Sequence, residues 1–166
     1  MSDLDLDVAV EGGAWSELGD AEALARRAVE AALGVASDAP RGPVEVSLLL
    51  TDDAGVRALN AAWRAKDRPT NVLSFPAPAQ PGVPGPRHLG DIALAFETLQ
   101  REAREEGKTL ADHAAHLVVH GTLHLLGYDH EGTGEAEIME ALEVKALMRL
   151  GIADPYRDTE PAGPAA

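Results

Sequence analysis

The sequence contains no cysteine and few aromatic residues. Because none of the 166 residues is Cys, a disulfide framework and a cysteine-ligated zinc site are excluded, and any metal must be held by His and carboxylate side chains. Aromatic residues make up 4% of the chain and hydrophobic residues 45%, so the core must consist mainly of Leu, Val, Ala and Ile. This length and composition predict one domain with a substantial core.

Long hydrophobic runs and basic charge are also scarce. No apolar run approaches the roughly 20 residues of a membrane span, and the first residues lack the basic and apolar regions of a secretory signal. We therefore expect a cytoplasmic protein with no membrane partner. The net charge of −14 argues by itself against a nucleic-acid partner, and no DNA partner is expected. One basic patch is an exception, because twelve residues with a single acid contain Arg57, Arg64, Lys66 and Arg68.

Periodicity and turn residues predict the element order β-α-β-α-β-β-α-α-α. Apolar runs predict strands over residues 4–10, 44–51, 71–75 and 89–96. Helical periodicity and cap-type residues, including Asp52 or Asp53, predict helices over residues 20–34, 52–65, 97–107, 109–126 and 134–150. A loop with five prolines, residues 76–88, separates the last two strands, which we expect to pair antiparallel.

These elements predict an α/β (α+β) fold in a single domain. A small mixed four-stranded sheet would pack with about five helices over residues 1–156, and residues 157–166 would form a disordered tail.

Five of the six histidines lie between residues 113 and 130. The first four fall within an arc of about 80° on one helix. His120 and His124 are one turn apart, about 6 Å along the helix axis, so both rings can reach one metal ion. His116 and His124 are separated by about 12 Å of helical rise and cannot easily share an ion. His113 is farther still, so we expect His113 and His116 to be satisfied helix histidines or groups behind the ligands.

The third ligand is either His116 or His130, and the sequence favours His130. Gly127 can adopt a left-handed conformation that ends the helix and turns the chain back. The spacing His-x3-His-x2-Gly-x2-His is the ligand pattern of metzincin zinc proteases. Three neutral histidines leave one position for water, as in a catalytic site. We therefore predict one zincin-like metal site, with one ion per chain bound by His120, His124 and His130.

The base of a zinc protease is missing from this motif. In H-E-x-x-H proteases the glutamate acts as general base, whereas Gly121 holds that position here, which disfavours a peptidase. Asp129 could orient a ligand histidine, and Glu131 could equally be a surface acid. Asp91 could be a structural acid at the end of a strand or an acid of the site.

The histidine stretch HGTLHLLGYDH, residues 120–130, resembles the signature of the YbeY family, bacterial endoribonucleases of ribosomal RNA maturation. NAAWRAKDRPTNVLSFP (60–76), LGDIAL (89–94) and GIADPY (151–156) resemble three further blocks of that family. The matching blocks span residues 46 to 156. The resemblance implies a single-domain metalloprotein with a fold related to zinc proteases.

The resemblance also implies a site and a substrate. Zn²⁺ would be bound by His120, His124 and His130, and the functionally important arginine of the family matches Arg64. The substrate would be single-stranded or ribosomal RNA, in maturation of the 3′ end of 16S ribosomal RNA and in ribosome quality control. The ribosomal small subunit or its proteins would be partners.

Several side chains are candidates for contact with RNA. Arg64 would hold a phosphate through its planar guanidinium, with a salt bridge at the helix end as the alternative. Lys66 and Arg68 would attract the RNA backbone. Ser74 could contact substrate or be a structural hydroxyl. Trp63 could stack on a base, although we expect it to pack in the core.

Two other functional classes remain open. The chain could be a zinc-stabilised ribosome-associated factor without nuclease activity, or a metallohydrolase that acts on a small molecule or peptide.

The ligand assignment predicts different zinc contents for two histidine variants. His124→Ala should lose stoichiometric zinc because two nitrogens cannot replace three, whereas His113→Ala should retain about one zinc per chain. Metal analysis of the purified variants measures this. Equal zinc retention in both would contradict the assignment.

Overall fold

The computed structural model describes residues 4–37, 39–40, 42–64, 70–78, 82, 85–128 and 132–154. The side chains of Arg64 and Thr133 lie outside this description. So do Lys66, Arg68, His130 and the tail that the sequence predicts to be disordered.

Four strands form a mixed sheet in the order β1-β2-β4-β3. Their bounds are β1 Leu4–Val10, β2 Val44–Thr51, β3 Val72–Pro76 and β4 Arg87–Ala95. Strands β1, β2 and β4 are parallel, and β3 pairs antiparallel with β4, as the sequence predicts. Strand β3 therefore forms one edge of the sheet.

Five α-helices and one short 3-10 helix, Trp15–Leu18, accompany the sheet in the described residues. The α-helices are α1 Ala21–Val35, α2 Asp53–Arg64, α3 Phe96–Glu106, α4 Leu110–Leu125 and α5 Thr133–Arg149. The predicted α+β class and element order are confirmed, and each predicted end lies within two residues of the observed one.

Side-chain caps explain where several helices begin. The carboxylate of Asp20 accepts a backbone N–H in the first turn of α1 at 2.9 Å. Asp52 caps α2 by accepting the N–H of Gly55 at 2.8 Å, which decides between the two candidate caps. Asp53 instead accepts the backbone N–H of Thr98 at 3.0 Å and so ties the start of α2 to the start of α3.

The two faces of the sheet bury different helices. Alternate side chains of β2, such as Val46 and Leu48, pack into the main core with residues of α1, α4 and α5. Leu49 points to the other face, where it packs with Val56 of α2 and Ala93 of β4. Within the described part of the chain, no helix has the length and apolar character needed to cross a bilayer. Helices α1 and α4 thus cover one face, with α5 packed on these two helices, and α2 covers part of the other face.

A bulge in β4 depends on a glycine. Glu45 of β2 pairs with His88, but the next residue, Val46, pairs with Gly90, so the register shifts by one residue. Gly90 has a φ of +142°, and a Cβ atom there would lie 2.3 Å from the carbonyl oxygen of Phe75 on β3. Only glycine fits this close approach of two strands without movement of the backbone.

Gly90→Ala should lower the free energy of unfolding by about 2 kcal/mol or more, because it adds a positive-φ strain and a backbone clash. Chemical denaturation measures the loss. Gly85→Ala is the matched control, since Gly85 has a φ of +102° with no described atom within 4 Å of the added Cβ. Equal losses in the two variants would show that the contact with Phe75 contributes nothing.

Candidate metal centre

Helix α4 carries the histidine cluster through the interior of the protein. It begins at Thr109, whose hydroxyl accepts the N–H of Asp112 at 3.0 Å. The helix contacts α1, α3, α5, β3 and β4, and ten of its 16 residues are buried. The groups beside its histidines therefore come largely from these neighbouring helices and strands.

The rings of His120 and His124 converge, as their spacing predicts. Their Nε2 atoms are 3.1 Å apart, and the ring planes cross at 76°. Two nitrogens bound to one tetrahedral zinc at about 2.0–2.1 Å would be about 3.3–3.4 Å apart, so this pair fits the donor spacing of a zinc site. The side chain of His120 is 21% exposed, which leaves the pair accessible from outside.

The third predicted ligand, His130, lies outside the described residues. Gly127 has the positive φ that the sequence predicts, at +101°, and its N–H donates to the carbonyl of His124 at 3.0 Å. Within the described ranges no three His, Cys, Asp or Glu side chains converge to hold a metal. The ligand triad therefore stays a prediction, supported at two of its three positions by the geometry of α4.

A buried carboxylate that the sequence analysis missed lies directly behind His120. Glu143 of α5 is 0% exposed, and its Oε2 atom is in hydrogen-bond contact with Nδ1 of His120. Its Oε1 atom lies 3.5 Å from Nε2 of His116. The spacing in the sequence could have indicated this burial, because Glu143 shares one helix face with the buried apolar residues Met139 and Leu147.

His113 belongs to a separate buried network. Its Nε2 atom lies 2.9 Å from Oε1 of Glu102 on α3, and this oxygen also accepts the side-chain N–H of Asn71 at 3.0 Å. The network joins α4, α3 and the start of β3. His113 is thus hydrogen-bonded through Nε2 alone, because its buried Nδ1 atom has no partner among the described residues, so the expectation of a satisfied helix histidine is met for one ring nitrogen only.

Gly121 faces the sheet, where α4 comes close to β3 and β4. A Cβ atom at this position would lie 3.0 Å from Cγ2 of Ile92 and 3.1 Å from Oγ of Ser74. Ser74 is only 7% exposed, and its hydroxyl donates to the Gly121 carbonyl at 3.3 Å. Ser74 therefore ties β3 to α4, and its predicted contact with substrate stays a prediction.

The described part of the predicted basic patch lies on α2, which contains Arg57 and the backbone of Arg64. The helix ends at Arg64, whose side chain, like Lys66 and Arg68, is outside the described residues. Their contacts with RNA stay predictions. The expectation that Trp63 packs in the core is wrong, because the last turn of α2 is exposed at residues 61–63 and Trp63 is 73% exposed.

A groove of about 380 Å³ lies on the face of the sheet opposite α4. Its walls include Asp7, Leu49, Trp63 and Asp91. The side chain of Asp91 is 59% exposed there, with His88 Nε2 4.0 Å away. Asp91, which sequence reasoning could not assign, is therefore separated by the sheet from His120 and His124.

Comparison with known proteins bears on the family and the fold of this chain. Residues 15–151 match the family model described as endoribonuclease YbeY. The endoribonuclease YbeY of Nitrobacter winogradskyi is 53% identical over 158 residues, which cover 93% of this chain and 83% of the relative. That of Rhizobium etli is 51% identical over 163 residues, covering 94% of this chain and 95% of the relative.

A solved structure shares the fold. The solution structure of TM1509 from Thermotoga maritima aligns with a TM-score of 0.54 and covers 97% of this chain and 99% of its own. The sequence identity is 24%, so this likeness concerns the fold alone. The family model and the relatives go further: this chain belongs to the YbeY family of endoribonucleases.

Proposed function

We propose that this protein is a zinc-dependent endoribonuclease that cleaves single-stranded RNA. The observation that carries the proposal is the convergence of the His120 and His124 Nε2 atoms at 3.1 Å, in a chain of the YbeY family. The relatives carry the name endoribonuclease, which supports RNA as the substrate.

The residues present fit a zinc ion. His120, His124 and His130 would hold it through neutral nitrogens, and no cysteine competes as a ligand. A bound zinc supplies Lewis acidity, which polarises a phosphoryl oxygen and acidifies water. Two of the three ligands lie on consecutive turns of a buried helix, so their rings are held in place before the ion binds.

Arg64 would bind a phosphate of the RNA substrate. A guanidinium binds a phosphate through two parallel N–H donors and stays charged throughout the reaction, so it can stabilise developing negative charge. Lys66 and Arg68 follow within four residues and would attract the neighbouring backbone phosphates. Ser74 would contribute by holding β3 against α4 through its hydrogen bond to the Gly121 carbonyl.

We place this activity in the cytoplasm, in maturation of the 3′ end of 16S ribosomal RNA and in ribosome quality control. The ribosomal small subunit or its proteins would then be the partners. The net charge of −14 fits recruitment by a basic protein better than by RNA alone.

Arg64→Ala should reduce cleavage of single-stranded RNA by at least about 100-fold, because it removes a phosphate contact that strengthens as charge develops. Zinc content should stay at one ion per chain. Arg101→Ala, at an exposed arginine of α3 outside the basic patch, is the matched control and should cleave RNA like the wild type. Cleavage and zinc content are measured on the same preparations.

The outcomes separate the competing functions. Unchanged cleavage in Arg64→Ala would contradict the role of this arginine. Zinc binding without RNA cleavage in the wild-type protein would contradict the nuclease and favour a zinc-stabilised factor of the ribosome.

Gly121→Glu should not create a peptidase and should destabilise the fold. The new carboxylate would be placed among Ile92, Ser74 and the buried side of α4, which should lower the free energy of unfolding by about 3 kcal/mol or more. Gly134→Glu, on the exposed first turn of α5, should change it little. Denaturation and a peptide-cleavage assay measure the two effects. A stable Gly121→Glu variant with peptidase activity would contradict this.

A further inference from the structure

We propose that Glu143 is a positioning residue that turns His120 so that its Nε2 atom faces the metal. The inference rests on the proposed zinc site but not on the nature of the substrate.

The burial of Glu143 requires a compensating hydrogen bond. Glu143 is 0% exposed, and its neighbours on the same face of α5 include Met139, Ala146 and Leu147, each at 1% or less. A carboxylate without access to water is strongly disfavoured unless donors satisfy it. An apolar residue of similar size would fill such a place at least as well. The carboxylate is therefore best explained by what it binds.

The carboxylate spans two consecutive turns of α4. Oε2 contacts Nδ1 of His120, and Oε1 lies 3.5 Å from Nε2 of His116, one turn earlier on the helix. His116 therefore flanks the carboxylate one turn before His120, and it is too far along the helix to serve as a ligand together with His124.

This contact selects one form of the His120 ring. A carboxylate can only accept a hydrogen bond, so the hydrogen must lie on Nδ1 of His120. The lone pair is then on Nε2, the atom that lies 3.1 Å from Nε2 of His124. Carboxylates behind metal-binding histidines orient the ring in this way and increase its strength as a ligand.

Zinc affinity of Glu143 variants tests the inference. Glu143→Met removes the acceptor and should weaken zinc binding by about 10–100-fold, whereas Glu143→Gln keeps one acceptor oxygen and should lose less. Glu140→Gln, on the exposed side of the same helix, is the matched control and should bind zinc like the wild type. Competition with a chelator of known affinity measures each constant. Wild-type affinity in Glu143→Met would overturn the proposal.

A purely structural role predicts a different result. It would change the unfolding midpoint of the metal-free protein and leave zinc affinity unchanged, so both are measured on every variant. If Glu143→Met binds zinc as tightly as the wild type and the wild type cleaves RNA, only the role of Glu143 is contradicted. If Glu143→Met binds zinc more weakly but the wild type does not cleave RNA, only the proposed function is contradicted.

A measurement on the wild-type protein shows which nitrogen of His120 carries the hydrogen, even if the variants do not fold. Nitrogen NMR of the zinc-loaded protein with ¹⁵N-labelled histidine should show that His120 has a hydrogen on Nδ1 and zinc on Nε2. A hydrogen on Nε2 with zinc on Nδ1 would overturn the proposal.

Discussion

The packing of helix α4 against the sheet is the interaction on which the rest of this structure depends. Small residues on the helix, Ala114, Ala115 and Gly121 among them, are buried and allow close contact with neighbouring elements. At Gly121 an added Cβ atom would lie only 3.0 Å from Cγ2 of Ile92, and the hydroxyl of Ser74 hydrogen-bonds to the helix backbone. Because the helix cannot rotate without losing these contacts, the directions of His120 and His124 are fixed.

Two partly buried histidine–glutamate pairs join α4 to its neighbours. His113 pairs with Glu102 of α3, and His120 pairs with Glu143 of α5. Each pair satisfies polar groups that would otherwise be buried at a high cost in free energy. The first pair also holds Asn71 just before β3, and none of its hydrogen bonds within the described residues goes to His120 or His124, the candidate ligands among them. The second pair lies directly behind them, so similar chemistry serves the fold in one place and the candidate site in the other.

The sheet separates His120 and His124 from the groove that Asp7 and Asp91 help to line. Asp7 and Asp91 are in register with Ser47 on adjacent strands and point to the face that α2 covers only in part. The histidine pair lies on the other face. The net charge of −14 is therefore a poor guide to the surroundings of the candidate metal site, because part of it belongs to a different surface.

The sequence by itself determined the element order, the antiparallel pairing of β3 and β4, the positive φ of Gly127 and the convergence of His120 and His124. These follow from periodicity, turn residues and helix geometry, which act over a few neighbouring residues. Only the tertiary structure decided that Glu143 lies behind His120, that Asp91 is on the opposite face and that Trp63 is exposed. These depend on which residues distant in the sequence meet, and periodicity along one chain segment does not contain that information.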